Sequence, residues 1–328
     1  MIPYDVEVDW LITEVCNFDC PFCWLQKRPK SDRYLGRKDT QELLEGFNNK
    51  GVTWLVHMTG GEPFFFPNFL ELCRGLTERH YISINTNLSH KNVLRFAETV
   101  DPEKVDFMHV SLHILEREKM RGVGRFIDTY MMLKNAGFNI FVSYLMYPPL
   151  MKRFPKDYED FKSRGVILRP KVYWGDYYGV LDAKVKRPCN NRILKYLGRA
   201  YPDAYSAEQV RFIREYIDRS ARDEAQRYGN TVPLRERTVD LALDKHWVSG
   251  IPSYAGKRCS AGRKMVRMEK DGEVYRCIDE KRYHLGNMFR GPLEFLKEDL
   301  VCGAPLCSCP YVGLRYANNE SKDERYPL

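Results

Sequence analysis

Three cysteines with a spacing suited to metal chemistry lie near the amino terminus. Cys16, Cys20 and Cys23 follow the pattern C-x3-C-x2-C, and the next histidine or cysteine along the chain is His57. Thiolates this close together in a reducing compartment fit zinc or an iron–sulfur cluster better than disulfides. A structural zinc site uses four ligands, so three cysteines leave one coordination position open. On a four-iron cluster the same open position lets one iron bind a small molecule.

A second group of cysteines lies in the last quarter of the chain. Its members are Cys259, Cys277, Cys302, Cys307 and Cys309. Residues 264–269 and 273–278 have strand composition, and Asp271-Gly272 between them favours a hairpin turn. Such a hairpin brings two of these thiols together, as a metal site requires. Eight of the ten cysteines thus fall in two groups, which indicates metal ligation rather than scattered core thiols.

Alternating strands and helices must position these groups. Strand composition is found over residues 7–14, 52–59, 81–85, 105–112, 139–147 and 166–173. Helical patterns lie between them over residues 40–50, 68–78, 91–98, 124–135 and 158–163. These six β-α units predict an α/β fold with a parallel sheet and right-handed crossovers. Ligands in such folds bind beyond the carboxyl ends of the strands, so the residues there are the candidate binding residues.

Gly60-Gly61-Glu62-Pro63 follows the second predicted strand directly. Two adjacent glycines permit positive φ and a close approach of the backbone to a ligand. An ordinary loop is the alternative interpretation. Further candidates at the strand ends, each of which could instead be an ordinary residue opening a loop, are Asn85, Thr86, Asn87, Ser111, His113, Tyr144 and Met146.

The first cysteine group resembles the signature of a known superfamily. Cys16, Cys20 and Cys23, with Phe22 before the last thiol, are similar to the C-x3-C-x-aromatic-C motif of the radical S-adenosylmethionine (SAM) enzymes. Gly60-Gly61-Glu62-Pro63 resembles the G-G-E-P motif of the same enzymes. The resemblance implies a partial (β/α)6 TIM-like barrel, a [4Fe-4S] cluster on the three cysteines, and SAM with its amino group on the glycine-rich backbone.

The same resemblance implies further binding residues and a reaction. Asn87 and Ser111 stand where the superfamily holds the ribose and methionine parts of SAM. The cluster passes one electron to the SAM sulfonium, and the resulting 5′-deoxyadenosyl radical abstracts a hydrogen atom from the substrate. A flavodoxin or a ferredoxin would supply the electron.

The tail resembles the twitch and SPASM domains that carry auxiliary clusters in these enzymes. Cys259-x12-Gly272-x4-Cys277 matches the opening of such a domain, a small β-hairpin-plus-helix unit with its helix here over residues 292–297. The resemblance implies one auxiliary [4Fe-4S] cluster, and a structural zinc is the alternative. Five cysteines compete for four ligand positions, so one is spare or one position is open. By resemblance to radical epimerases of the superfamily, a thiol near the substrate would donate a hydrogen atom to a substrate radical. Cys189 is the candidate catalytic residue, with one of these five cysteines as the alternative.

Three segments are expected. Residues 1–175 form the SAM-binding barrel, residues 176–256 a linker with a helix over 206–228, and residues 257–328 the auxiliary domain. Val210, Ile213 and Ile217 give the linker helix an apolar face for docking. Cys73, on an amphipathic helix, is expected in the core.

Composition narrows the function classes. The chain has 328 residues, with 52 basic and 44 acidic side chains and a net charge of +8, which is too diffuse to indicate nucleic-acid binding. It has no apolar run near 18 residues and no charged-then-apolar leader, so we expect neither a membrane span nor secretion, and a cytoplasmic location.

The substrate is the least determined part of the prediction. A small molecule of carbohydrate or aminoglycoside type, epimerised or dehydrogenated, is favoured. A ribosomal peptide is the alternative, weakened because no leader-peptide-binding domain precedes residue 7. From a different class, the chain could be a non-catalytic zinc or iron–sulfur binding protein.

Overall fold

Six parallel strands form the centre of the fold. The computed structural model describes residues 3–23, 39–173, 205–228, 248, 255–278 and 280–304. The six strands pair in chain order, each parallel to the next, so the predicted partial (β/α)6 barrel is confirmed. Their bounds are β1 Val6–Thr13, β2 Trp54–Gly60, β3 Tyr81–Thr86, β4 Val105–Ser111, β5 Ile140–Leu145 and β6 Leu168–Lys171.

Helices in the described connections cover the outer face of this sheet. Asp39 caps the first helix by accepting a hydrogen bond from the Gln41 N–H at 3.4 Å. The sequence pattern does not predict α4 and α6, because helices of six and four residues are too short to show a period. The bounds are α1 Thr40–Asn48, α2 Phe69–Arg79, α3 Val93–Thr99, α4 Ile114–Lys119, α5 Val123–Asn135, α6 Pro148–Met151 and α7 Phe154–Ser163.

Alternation along the strands gives the sheet an apolar outer face and a polar inner face. On the outer face Trp10 is fully buried, and its ring centroid lies 5.6 Å from that of Phe47 on α1. On the inner face His57 Nδ1 lies 2.5 Å from Ser83 Oγ, and its Nε2 lies 3.0 Å from a carboxylate oxygen of Glu7. Because these buried groups are hydrogen-bonded to one another, polar side chains are tolerated inside the barrel.

A carboxyl-terminal hairpin extends the sheet at its β1 edge. The added strands are β8 Met265–Met268, β9 Glu273–Tyr275 and β10 His284–Asn287. Strand β8 pairs parallel with β1 and antiparallel with β9, so the predicted hairpin forms and becomes part of a nine-stranded sheet. The junction carries a buried ion pair, in which Arg267 Nη1 donates to Asp9 Oδ2 at 2.5 Å.

The prediction of a helix over residues 292–297 is wrong. This segment has no regular structure, because neighbouring chain segments take up its backbone N–H groups. The Glu294 N–H donates to the Leu285 carbonyl at 2.8 Å, and the Leu296 N–H donates to the Gly262 carbonyl at 2.9 Å. Two short strands complete this region, β7 Arg258–Cys259 paired antiparallel with β11 Leu300–Val301.

A long helix packs against the other edge of the barrel. Helix α8, Ala207–Tyr228, buries Ile213 and Ile217, so the predicted apolar docking face is confirmed. Its Glu224 receives hydrogen bonds from Arg169 of β6, the shortest at 2.7 Å. Within the described ranges no helix is both long and apolar enough to span a bilayer.

Candidate functional site

The first cysteine group lies on one loop at the carboxyl edge of the sheet, directly after β1. Cys20 is buried, and Cys16 and Cys23 are half-buried. The Phe18 N–H donates to Cys16 Sγ at 3.4 Å, and the Cys23 N–H donates to the Cys20 carbonyl at 3.2 Å. Hydrogen bonds from backbone N–H groups to sulfur stabilise thiolates, so the loop suits bound metal.

Helix α4 holds the far side of this cysteine loop. The Asp19 N–H donates to a carboxylate oxygen of Glu116 at 3.1 Å. His113, at the start of α4 with a positive φ of 47°, places its ring 6.1 Å from Phe18 and 5.5 Å from Phe22. Phe22 also lies 5.4 Å from the ring of Tyr147. The predicted residues Phe22 and His113 therefore lie at the site and pack against each other.

The two glycines after β2 bring the ends of β1 and β2 into close contact. The Gly61 N–H donates to the Thr13 carbonyl and the Glu62 N–H to the Val15 carbonyl, both at 2.8 Å. A Cβ at Gly60 would overlap the carbonyl oxygen of Thr13, and Gly60 has a φ of 147° that side chains disfavour. Only glycine allows the cysteine loop and the Gly60–Pro63 segment to lie this close.

Glu62 is a fully buried carboxylate that braces the site. Its Oε1 accepts from Thr86 Oγ1 at 2.7 Å and from the Phe64 N–H at 3.3 Å, and its Oε2 accepts from the Asn87 N–H at 2.6 Å. Burial raises the pKa of Glu62 to about 7, against the lowering effect of these hydrogen bonds and of the Arg117 charge. The carboxylate thus joins the end of β2 to the end of β3.

Thr86 and Pro63 hold the Glu62 side chain and its backbone in place. Thr86 is buried, and its hydroxyl donates to Glu62 and accepts from the Leu88 N–H at 3.0 Å, so its side chain holds Glu62 in place. Its role in cofactor binding stays a prediction. Pro63 is buried at the start of a 3-10 turn. Its rigid ring fixes the direction in which the chain leaves Glu62.

Asn87 and Asn85 lie nearer the cysteines. Asn87 Nδ2 donates to Asn17 Oδ1 at 3.1 Å and lies 4.0 Å from Cys16 Sγ. Asn17 in turn donates to Ser89 Oγ at 2.9 Å, which ties the cysteine loop to the segment after β3. Asn85 is half-buried on the inner face and donates to Thr59 Oγ1 at 3.2 Å. Asn85 therefore lies on the inner face at this end of the strands, whereas Asn87 is buried and ties the segment after β3 to the cysteine loop.

Ser111 also meets the inner face, whereas Tyr144 and Met146 do not. Ser111 is half-buried and in register with Ser143 on β5. Tyr144 donates its hydroxyl to Asp157 of α7 at 2.8 Å, and Met146 is fully buried in the core. Both side chains therefore lie in the outer core, because side chains alternate along a strand and the inner-facing residues of β5 are the odd-numbered ones. Their role in cofactor binding stays a prediction.

Several inner-face residues were not predicted. His109 is half-buried, and its Nε2 lies 2.8 Å from Ser143 Oγ. The ring of Phe141 stacks on His109 at 5.0 Å, and that of Phe107 lies 5.8 Å from Phe141. The register of the strands could have indicated them, because β4 residues two apart share a face with Ser111.

The second cysteine group lies at the amino ends of the strands, opposite the first group at their carboxyl ends. Cys259 lies on β7 and Cys302 follows β11, its pairing partner. Arg276, next to Cys277, donates to the Leu300 carbonyl at 2.8 Å, which brings the third thiol to the same region. Extending the β8–β9 register puts Cys277 level with Met265 and hence with Glu7 at the amino end of β1. Cys189, Cys307 and Cys309 lie outside the described residues.

The three thiols of the first group suit an iron–sulfur cluster. Among the described residues, no three His, Cys, Asp or Glu side chains converge closely enough to hold a single metal ion. A [4Fe-4S] cluster binds each cysteine through a different iron, so its ligands need not converge on one point. Cys73 is different: burial raises the pKa of its thiol well above the usual range, and it is a core residue as predicted.

These features define a partial α/β barrel with a thiolate loop beside a glycine-rich turn at its ligand-binding edge. Residues 10–159 match the model of the Radical SAM superfamily, so the chain contains a radical SAM domain. Enzymes of this superfamily use a [4Fe-4S] cluster and SAM.

Curated relatives match part of the chain. A "Probable GTP 3',8-cyclase" of Saccharolobus islandicus (strain M.14.25 / Kamchatka #1) is 29% identical over 128 residues, which are 38% of this chain and 41% of the relative. A "GTP 3',8-cyclase" of Rhizobium leguminosarum bv. trifolii (strain WSM2304) is 31% identical over 125 residues, 36% of this chain and 35% of the relative. The chain therefore spans less than half the length of the curated relatives it matches.

Solved structures share the fold over most of the chain. Streptococcus suis SuiB bound to S-adenosylmethionine has a TM-score of 0.50 and 15% identity, covering 84% of this chain and 61% of that protein. Native anSMEcpe with bound AdoMet has a TM-score of 0.52 and 15% identity, covering 87% of this chain and 78% of that one. At these identities the likeness concerns the fold alone.

Proposed function

We propose that this protein is a radical SAM enzyme that modifies a small polar substrate inside the partial barrel. The observation that carries the proposal is the contact between the cysteine loop and the glycine-rich turn. The Gly61 and Glu62 N–H groups bond to Thr13 and Val15, the residues that lead into Cys16. Cluster ligands and a ligand-binding backbone thus meet at the edge where parallel sheets bind ligands.

Each group at this edge has a role in the proposal. Cys16, Cys20 and Cys23 hold the [4Fe-4S] cluster, and the Gly60–Gly61 backbone receives the amino group of SAM. When bound, the cluster and SAM supply reductive cleavage to methionine and a 5′-deoxyadenosyl radical. Glu62 acts indirectly, since its carboxylate fixes the backbone of Asn87.

Three polar side chains at the carboxyl ends of the strands are the proposed contacts for the rest of SAM. Asn85, Asn87 and Ser111 offer amide and hydroxyl groups for the ribose and the methionine portion. Phe22 and His113 form the aromatic side of the site. Their packing against the cysteine loop excludes water from the place where a radical would form.

The inner face of the barrel suggests the substrate class. His109 and Ser143 present hydrogen-bonding groups, and Phe107 and Phe141 present rings beside them. A mixed aromatic and hydroxyl-rich surface suits a ring bearing several hydroxyl or amino groups. A carbohydrate or aminoglycoside, epimerised or dehydrogenated, is therefore the favoured substrate. A flavodoxin or ferredoxin is the proposed electron donor, and the cytoplasm is the proposed location.

Two other substrates have specific support. A purine nucleotide is suggested by the curated relatives, which are named GTP 3',8-cyclases. A ribosomal peptide is suggested by the fold shared with SuiB, whose structure bound to precursor peptide SuiA has a TM-score of 0.51. Incubation with each class of substrate, followed by mass spectrometry of the product, tests which class is modified. Repeating the reaction in deuterated water identifies epimerisation, because it leaves the mass unchanged in ordinary water but introduces one solvent deuterium.

The second cysteine group is proposed to hold one auxiliary [4Fe-4S] cluster in a twitch-like domain of residues 257–328. Cys259, Cys277 and Cys302 are its described ligands, and Cys307 or Cys309 would supply the fourth. The Glu280 N–H, which donates to Cys277 Sγ at 3.3 Å, supports a thiolate there. Cys189 stays a predicted hydrogen-atom donor.

Replacement of Cys20 by alanine tests the proposed function. The anaerobically reconstituted protein should release 5′-deoxyadenosine and methionine from SAM under dithionite, and Cys20→Ala should lower that rate at least about a hundredfold, because one cluster ligand is lost. Cys73→Ala, which removes a buried thiol on helix α2 outside the cysteine loop, is the matched control and should keep the activity. Intact SAM with the wild-type protein, or zinc in place of iron, would favour a non-catalytic metal-binding protein.

A further inference from the structure

Arg117 is a buried cation with an unused donor. It lies on α4, and its side chain is only 5% exposed. Its Nε donates to the Leu112 carbonyl at 3.3 Å, whereas Nη2 is buried and has no hydrogen-bond partner within the described part of the chain. Burying a charged donor without an acceptor is unfavourable, so a negative charge close to this nitrogen would be stabilising.

The surroundings of Arg117 identify where that group would be. The guanidinium carbon lies 5.0 Å from the ring centroid of Phe18 and 4.6 Å from that of Phe126. Phe18 stands between Cys16 and Cys20 in the cysteine loop, and the thiol of Cys20 is among the groups that interact electrostatically with Arg117. The cation therefore lies beneath the loop that carries the cluster ligands.

Glu62, the buried acid whose charge interacts with that of Arg117, does not accept a hydrogen bond from it. Glu62 uses its carboxylate for Thr86, Phe64 and Asn87 instead. Burial lowers the pKa of Arg117 to about 10, so the guanidinium is still charged at neutral pH. A positive charge is thus held in the interior beside the thiolates.

We propose that Arg117 is a positioning residue of the iron–sulfur site, which supports the cysteine loop through Phe18 and supplies a buried positive charge that favours the reduced cluster. This inference rests on the proposed function, because it requires a cluster on Cys16, Cys20 and Cys23. One-electron reduction by an external reductant adds a negative charge at the loop. A nearby cation in a poorly solvated site stabilises that charge more than an exposed cation would.

A redox titration of the full reconstituted protein tests the proposal. The signal of the first cluster is identified in electron paramagnetic resonance spectra as the one that changes when SAM is added. Arg117→Gln should make its one-electron reduction at least about tenfold less favourable, a shift of about 59 mV to more negative potential. Arg117→Lys keeps the charge and should stay close to the wild type. Arg125→Gln is the matched control, since it removes an exposed arginine close by and should shift the potential little.

The outcomes separate charge from packing. An unchanged potential in Arg117→Gln at full iron loading would overturn the proposal. If Arg117→Gln fails to take up iron, the result with Arg117→Lys decides between the two roles. Normal iron loading and a normal reduction potential in Arg117→Lys would support the role of the positive charge. Failure of both variants to take up iron would overturn that role and assign Arg117 to packing against Phe18 and Phe126. If no electron paramagnetic resonance signal of the wild-type protein changes when SAM is added, the proposed function is wrong. The proposed role of Arg117 is then wrong as well, because it requires that function.

Discussion

At the scale of single residues, Glu62 is the group whose charge most affects the site. The folded protein raises its pKa from 4.5 to about 7, with burial as the main cause. The folded state therefore binds a proton more tightly than the unfolded chain. By linkage, the stability contributed by this group is present below pH 4.5 and is lost as the pH rises towards 7 and above.

Replacing Glu62 by glutamine should flatten the pH dependence of stability. For the wild-type apoprotein, this one group should lower the free energy of unfolding by about 3 kcal/mol between about pH 4.5 and 8, since each unit of pKa shift corresponds to about 1.4 kcal/mol. Urea unfolding at several pH values measures the slope. Glu45→Gln, at an exposed position of α1, is the control and should keep the wild-type slope. An equal slope in Glu62→Gln would mean that the carboxylate is already ionised when folded.

Single residues also show what the sequence could and could not predict. The cysteine loop and the glycine-rich turn were identifiable because their chemistry depends on residue type and spacing. Tyr144 and Met146 are candidates only by their place near a strand end, and a strand end located to within a residue or two leaves open which residues face the inside of the barrel. The role of Arg117 could not be predicted, because a sequence does not distinguish a buried arginine from an exposed one.

At the scale of elements, the junction of β1 and β2 determines whether the site forms. The backbone contacts between Thr13, Val15 and the glycine pair require that neither glycine carries a side chain. The cysteine loop begins one residue after Val15. Any displacement at this junction is therefore transmitted directly to the cluster ligands.

Gly61→Ala should disrupt this junction. Its Cβ would overlap the Val15 carbonyl, so we expect a loss of about 1–3 kcal/mol in unfolding free energy together with reduced iron uptake. Gly124→Ala in α5 is the matched control: no heavy atom lies within 4 Å of the added Cβ, and alanine in a helix should be neutral or stabilise by about 0.5–1 kcal/mol. Iron analysis and chemical unfolding measure both effects. Normal iron uptake by Gly61→Ala would show that the close contact is not needed.

Elements were predictable where the pattern was long and periodic. The six barrel strands and helix α8 show clear hydrophobic patterns, and the structure has them within a few residues of the predicted bounds. Residues 292–297 have helical composition, yet their backbone N–H groups bond to residues far away in the chain. Local propensity is weak compared with such tertiary hydrogen bonds, so this element could not be predicted from its own sequence.

At the scale of the whole molecule, one sheet joins the two cysteine groups. Strand β1 leads into the first group, and its partner β8 begins the hairpin of the second. Because Cys277 is level with the amino end of β1, the two groups lie at opposite edges of the sheet, about 20 Å apart along the strand. This pairing joins Asp9 to a residue 258 positions away, which no local pattern predicts.

This separation makes iron uptake at the two groups independent, and that independence can be measured. We expect about eight irons per reconstituted chain, four for each cluster. Replacing Cys16, Cys20 and Cys23 together by alanine should leave about four irons and abolish the spectral response to SAM. Replacing Cys259, Cys277 and Cys302 should also leave about four irons but keep that response, because the thiolate loop and the glycine-rich turn are at the other edge. About four irons and one zinc in the wild-type chain would assign the second group to structural zinc. Loss of the spectral response to SAM in both variants would contradict the independence of the two cysteine groups.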